Sequence, residues 1–309
     1  MFTSQLLSKI EQYDRYGEYR VNGFKAVFIV EVLFIINFIY TIPNPYFYYF
    51  YIPLTAFAAE VVGNSLEDKF RLYFYTVFGS IVAVFLFGIF QPYRIFFIFF
   101  VLAFSLLLYW VAIYRLRGFL VSVPLILCLA MYSLIYGSSN TNFYIMLNHA
   151  LESVAAMVIV MISLLFFPKR YYLWIWHKAF NEVIELSNGY VSQIENGEIV
   201  TVHVIHGMVT MRRYAFMLDR RIPIYSILKI TLLSFDLVMA ISYLSMFQRQ
   251  LPTEYIKFLA QKLQEFRVLC KSKQVFKLSS LDKQMFQETH ELRTLYKIIV
   301  SWNKLCLTP

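Results

Sequence analysis

Three cysteines in 309 residues are too few and too scattered for a disulfide framework or a zinc cluster. Cys128, Cys270 and Cys306 are odd in number and share no ligand spacing. Glycine is scarce too, at 10 residues, and no glycine pattern that cradles a dinucleotide or a nucleotide phosphate occurs. No serine, cysteine or carboxylate constellation has catalytic spacing, so an enzyme is not expected, nor is a cofactor. His203 and His206 share a helix face at i, i+3, but no third ligand follows at helical spacing, so no metal is expected. The formal net charge of +9 invites a nucleic-acid reading. The basic residues, however, flank apolar segments or alternate with acids, which suits anionic lipid and not nucleic acid.

What is abundant is apolar surface: 59% of the residues are hydrophobic and 19% aromatic, more than a soluble core requires. Six long apolar segments account for it, at Phe24–Ile42, Tyr46–Val62, Leu72–Phe90, Ile95–Tyr114, Phe119–Tyr136 and Met146–Phe167. Each approaches or exceeds the roughly 20 residues a helix needs to cross about 30 Å of hydrocarbon. A helix satisfies its own backbone where no water can. Lys9, Arg15, Arg20, Lys25, Lys69, Arg71, Arg115, Arg117, Lys169, Arg170 and Lys178 fall at one set of alternate ends, while Arg94 alone falls at the other. This asymmetry predicts six spans with both termini in the cytoplasm. The first 23 or so residues mix acids and bases, so the first span is expected to stay in the mature protein.

Composition shifts at Pro168, predicting an all-α protein of two parts: a six-helix transmembrane domain over 1–168 and a cytoplasmic helical domain over 169–309. In the second part Ile256, Leu259, Leu263, Phe266 and Cys270 recur by three and four, the stripe of a helix packed on one side. Leu281, Met285, Leu292, Tyr296 and Ile299 make a second stripe, with Ser279 or Ser280 as N-cap and Asp282 in the first turn. Asn188-Gly189 and Asn196-Gly197 are expected to interrupt the helix that leaves the membrane. Four or five helices are expected here. Ile222–Phe247 is long enough to be a seventh span. Lys229 and Asp236 in its interior, and the eleven Lys and Arg from Arg249 onward, favour a buried central helix of the bundle instead.

Polar residues within apolar segments are the candidate site, since each costs free energy without a partner or water. Glu60 lies near the inner end of the second segment, and Asn148, His149 and Glu152 open the sixth on the outer side. Arg94 stands at the outer mouth. Together they suggest a pathway for an organic anion, with Arg94 attracting a carboxylate and His149 or Glu152 relaying a proton. The plainer alternative is that Arg94 and Lys25 snorkel to the interface while Glu152 pairs with a neighbouring helix. Pro53 and Pro124, inside the second and fifth segments, each delete a backbone hydrogen bond and predict kinks. The aromatic runs Tyr46–Tyr51 and Phe96–Phe100 suit an interfacial belt or a lipid-facing surface, with stacking on an aromatic substrate as the alternative.

Gly63-Asn64-Ser65, then Lys69 and Arg71, then Thr76 and Gly79 form a local pattern at the start of the third segment. With the six-span layout, it resembles one half of the fusaric acid resistance and aromatic acid exporter family. The plant aluminium-activated malate transporters are similar in layout. Tyr75 stands where the family tends to have glycine. The resemblance implies a half-length member that works as a homodimer in a bacterial inner membrane. It also implies gradient-driven efflux of aromatic or other small organic carboxylates, with a periplasmic adaptor protein as a partner of some relatives. A passive anion channel, or a scaffolding membrane protein that binds a partner through its cytoplasmic bundle, is the alternative.

Overall fold

In the computed structural model the described residues are 13–42, 48, 49, 52, 54–56, 60, 66–115, 120–136, 143–168, 170–198, 206–218, 223–246 and 253–307. Pro53, Gly63-Asn64-Ser65, Arg117 and His203 lie outside them, as do the loops at 43–45 and 137–141. The chain is all-helical, with no strand among the described residues. It divides into two compact units, Met1–Pro168 and Lys169–Pro309.

Helix α1 (Glu18–Ile39) begins where Asp14 accepts hydrogen bonds from the backbone N–H of Tyr19, at 3.1 Å, and of Arg20, at 3.0 Å. A carboxylate there satisfies orphan donors and complements the helix dipole. At the other end Asn37 Oδ1 accepts the Ile42 N–H at 3.0 Å, so this polar residue holds the chain as it leaves the helix. The described residues of the second segment, 48, 49, 52, 54–56 and 60, are all helical. Helix α2 (Leu66–Phe90) packs against α3 (Arg94–Tyr114), α4 (Ser122–Tyr136) and α5 (Phe143–Phe166). It buries Thr76 and Ser80 by having each hydroxyl donate to the carbonyl four residues earlier, the usual way to hide a hydroxyl in an apolar helix. At Gly79 the helices α2 and α4 run so close that a Cβ would lie 2.8 Å from Ile126 Cδ1. A small residue is needed at that point despite Tyr75 beside it.

Helix α3 is apolar on every side yet buries only Phe104, Leu108 and Ala112. Phe97, Phe100 and Phe104 pack on Phe87 with ring centroids 5.4, 6.1 and 5.9 Å apart. Ile95, Phe96, Ile98, Phe99, Leu102 and Trp110 are exposed, a surface suited to lipid. Pro124 proves to be the third residue of α4, in its first turn. Its missing N–H belongs to the set that has no intrahelical partner there, so it bends nothing.

In the second unit α6 (Arg170–Glu195) lays Tyr172, Ile175, Trp176, Ala179, Phe180, Val183 and Ile184 along one buried face. It meets α7 (His206–Ala215), α8 (Ile224–Met246) and α9 (Thr253–Ser272). Asn188-Gly189 does not interrupt α6, because the surrounding stripe holds both residues helical; Asn188 instead donates to Gln264 Oε1 at 3.0 Å. Asn196-Gly197 does end it, with Gly197 at φ 87° and its N–H donating back to Ile194 O. The expected stripe of α9 is wholly buried. The last stripe is split into α10 (Ser280–Met285) and α11 (His290–Leu307), parted by a turn through Phe286. Ser279 is the cap, in a capping box with Asp282. Six helices, not four or five, are thus described in this unit. Trp176, Phe180 and Trp302 stack at its centre with Phe266 edge-on to Trp302, and the two indole N–H groups donate to Thr231 Oγ1 and Gln274 O, each at 3.0 Å.

Among the described residues five helices are long and apolar enough to cross a bilayer, which marks a membrane protein: Glu18–Ile39, Glu67–Phe90, Arg94–Tyr114, Leu147–Phe166 and Ile224–Met246. Four coincide with apolar segments one, three, four and six. The fifth segment is α4, whose 15 residues rise only about 22 Å. The remaining candidate is α8, which packs with α6, α7 and α11 inside the second unit and leaves Lys229 and Asp236 exposed.

Candidate functional site

An ion among apolar helices persists only beside an opposite charge, since its desolvation costs more than packing returns. The first unit contains such a meeting point. Lys25, near the start of α1, donates to Glu60 Oε2 at 2.7 Å. Lys69, in the first turn of α2, donates to the same oxygen. Lys25 is 1% exposed, Glu60 6% and Lys69 5%. The Lys25 ammonium also lies 5.4 Å from the centroid of the Phe167 ring, at cation–π range. Phe167 follows α5 and meets Phe28 edge-on with centroids 6.1 Å apart. The cluster thus joins four parts of the unit around one carboxylate. Lys25 does not snorkel; its whole stem and head are enclosed.

A second polar group sits on α5. His149 and Glu152, at i and i+3, are both buried on the face that packs into the bundle. His149 Nδ1 is hydrogen-bonded with Ser133 Oγ of α4 at 3.2 Å, and Ser153 Oγ donates to the His149 carbonyl at 2.8 Å. Asn148 is exposed: neighbouring helix positions differ by about 100° in direction, so it does not share the His149 face. Arg94, the first residue of α3, is also exposed. The structure therefore groups Glu60 with two lysines and His149 with Ser133, buries Glu152 three residues further along α5, and leaves Arg94 and Asn148 at the surface.

Lys69 and Ser133 were not among the site residues expected from the sequence. The signal for Lys69 was available, because a carboxylate buried in an apolar segment demands a cation, and Lys25 and Lys69 are among the bases that flank the neighbouring spans. Nothing in the sequence pairs Ser133 with His149. Among the described residues no group of three His, Cys, Asp or Glu is placed to hold a metal ion. The chain matches no family model, no curated protein and no solved structure.

Chemically, two ammoniums share one carboxylate oxygen, an arrangement in which the cations outnumber the anion.

Proposed function

We propose that this protein is a multi-pass transporter of a bacterial inner membrane that exports small organic carboxylates, aromatic ones among them. The first unit then crosses the bilayer six times with both termini in the cytoplasm. The second forms a cytoplasmic helical bundle, and a homodimer is the working form. The observation that carries this reading is the Lys25–Glu60–Lys69 cluster. Burying three charges is seldom better for stability than an apolar core of the same volume, so their retention points to use. Glu60 occupies the lysines itself, and an entering carboxylate that takes them frees Glu60 to accept a proton. Anion occupancy and proton occupancy are thereby linked, which is what gradient-driven transport needs. His149 and Glu152 serve as a proton relay nearer the outside, and exposed Arg94 draws anions to the mouth.

The test is flux of benzoate in reconstituted vesicles under an imposed pH gradient. Flux that grows with the gradient is expected. Glu60→Gln and Glu152→Gln should flatten the pH dependence, and Lys25→Met should abolish flux. Arg94→Ala should raise the half-saturating concentration several-fold. Flux that merely collapses the membrane voltage marks a passive channel, and no anion flux at all marks a scaffolding membrane protein.

A further inference from the structure

Along α8 the exposed residues are Tyr225, Lys229, Leu232, Asp236, Met239, Tyr243 and Met246, and every other residue of the helix is buried or half-buried. Their spacing alternates four and three over three heptads. That is the seam of a coiled coil, a stripe that a second helix covers by supercoiling around the first. The other sides of α8 are taken by α6, α7 and α11, and the seam is left open, with Leu232 70% exposed at its centre.

We infer that this seam is where two copies of the chain meet, helix against antiparallel helix. The charges select both the occupant and the direction. A bilayer would have to take Lys229 and Asp236 into hydrocarbon at the middle of the stripe, at a cost of about a few kcal/mol for each. A parallel pair would set lysine on lysine and aspartate on aspartate. An antiparallel pair, related by a twofold axis level with Leu232 and Leu233, sets each Lys229 against the partner's Asp236 and satisfies both charges twice. Such an interface is self-complementary, as a twofold dimer requires. The Asp236 carboxylate is held in position by α11: His290 Nε2 lies 3.3 Å from Oδ2, and Thr294 Oγ1 donates to it at 3.3 Å. Tyr225, Met239, Tyr243 and Met246 supply the apolar flanks. None of this depends on transport.

The experiment measures the mass of the full chain in mild detergent as its concentration is varied. The parent is expected to be a dimer. Lys229→Glu and Asp236→Lys, each placing like charges across the seam, should weaken dimerisation at least ten-fold. The double variant carrying both changes restores opposite charges and should dimerise like the parent. Helical content should be unaltered in all three, since both side chains lie on the exposed face of α8. In a chain with Cys128 and Cys306 replaced by serine, Leu232→Cys should oxidise to a covalent dimer. A monomeric parent, single variants that dimerise as the parent does, a double variant no better than the singles, or no crosslink at Leu232→Cys would each overturn the seam. A monomer that still carries anion flux would do so while sparing the transport reading.

Discussion

Replacing Glu60 by Gln removes the carboxylate charge while keeping the side chain's shape, so packing is unchanged and the electrostatics are not. Lys25 and Lys69 are each almost wholly enclosed, and both lose the oxygen they share. Removing one partner from a buried ion pair costs about 3–5 kcal/mol, because the remaining charge is left in surroundings that solvate it poorly. Two cations are affected here, so the upper part of that range is expected. Unfolding of the reconstituted or detergent-held protein by denaturant measures it. The triple variant Lys25→Met, Glu60→Leu, Lys69→Met removes all three charges and should recover most of the loss, since apolar replacements of a buried ion cluster are close to neutral. That variant also separates structure from function: folded but inactive in benzoate flux, it makes the cluster a working site; folded and active, it makes the cluster a structural tie. A Glu60→Gln protein within about 0.5 kcal/mol of the parent would refute the electrostatic reasoning itself.

Gly189 lies exposed within α6, and a Cβ there would meet nothing within 4 Å; Gly189→Ala should stabilise the second unit by about 0.5–1 kcal/mol in thermal melts. Gly197→Ala, at φ +87°, should cost about 1 kcal/mol by the same assay. His177 is enclosed between Cys270 O, at 3.1 Å, and the Trp302 ring, at 5.5 Å; burial, with Lys273 nearby, lowers its pKa from 6.5 to about 4. The unfolded chain therefore takes up this proton first as pH falls, so the stability is present above about pH 6.5 and lost between there and about pH 4. The loss amounts to at most about 3 kcal/mol, and tryptophan fluorescence during denaturant titration should show it in the parent and not in His177→Gln. A cysteine placed at Lys271 should react with an impermeant reagent only after the cytoplasmic side is opened; labelling from outside would instead favour seven crossings.

Helicity and the membrane were legible in the residues because both are local. Hydrocarbon demands a backbone that satisfies itself, so about 20 apolar residues in a row imply a helix and a bilayer together. The stripe of α9 and the cap at Ser279 were legible for the same reason, since a helix repeats its faces every 3.6 residues whatever it packs against. Gly189 was misread because the glycine preference for turns is weaker than the burial of Val183, Ile184, Ser187 and Val191 around it. Pro124 was misread because its effect depends on whether it falls in the first turn or the middle, and apolar runs do not mark helix starts. Tertiary packing alone decided which charges meet. The sequence places Lys25 and Glu60 in two separate apolar segments and Lys69 just before a third, each helix with a rotation about its own axis that local patterning leaves free. Packing of α1, the second segment, α2 and α5 around Leu33, Tyr48, Tyr73 and Ala156 sets those rotations. It turns two lysines onto one carboxylate while leaving Asn148 and Arg94 outside.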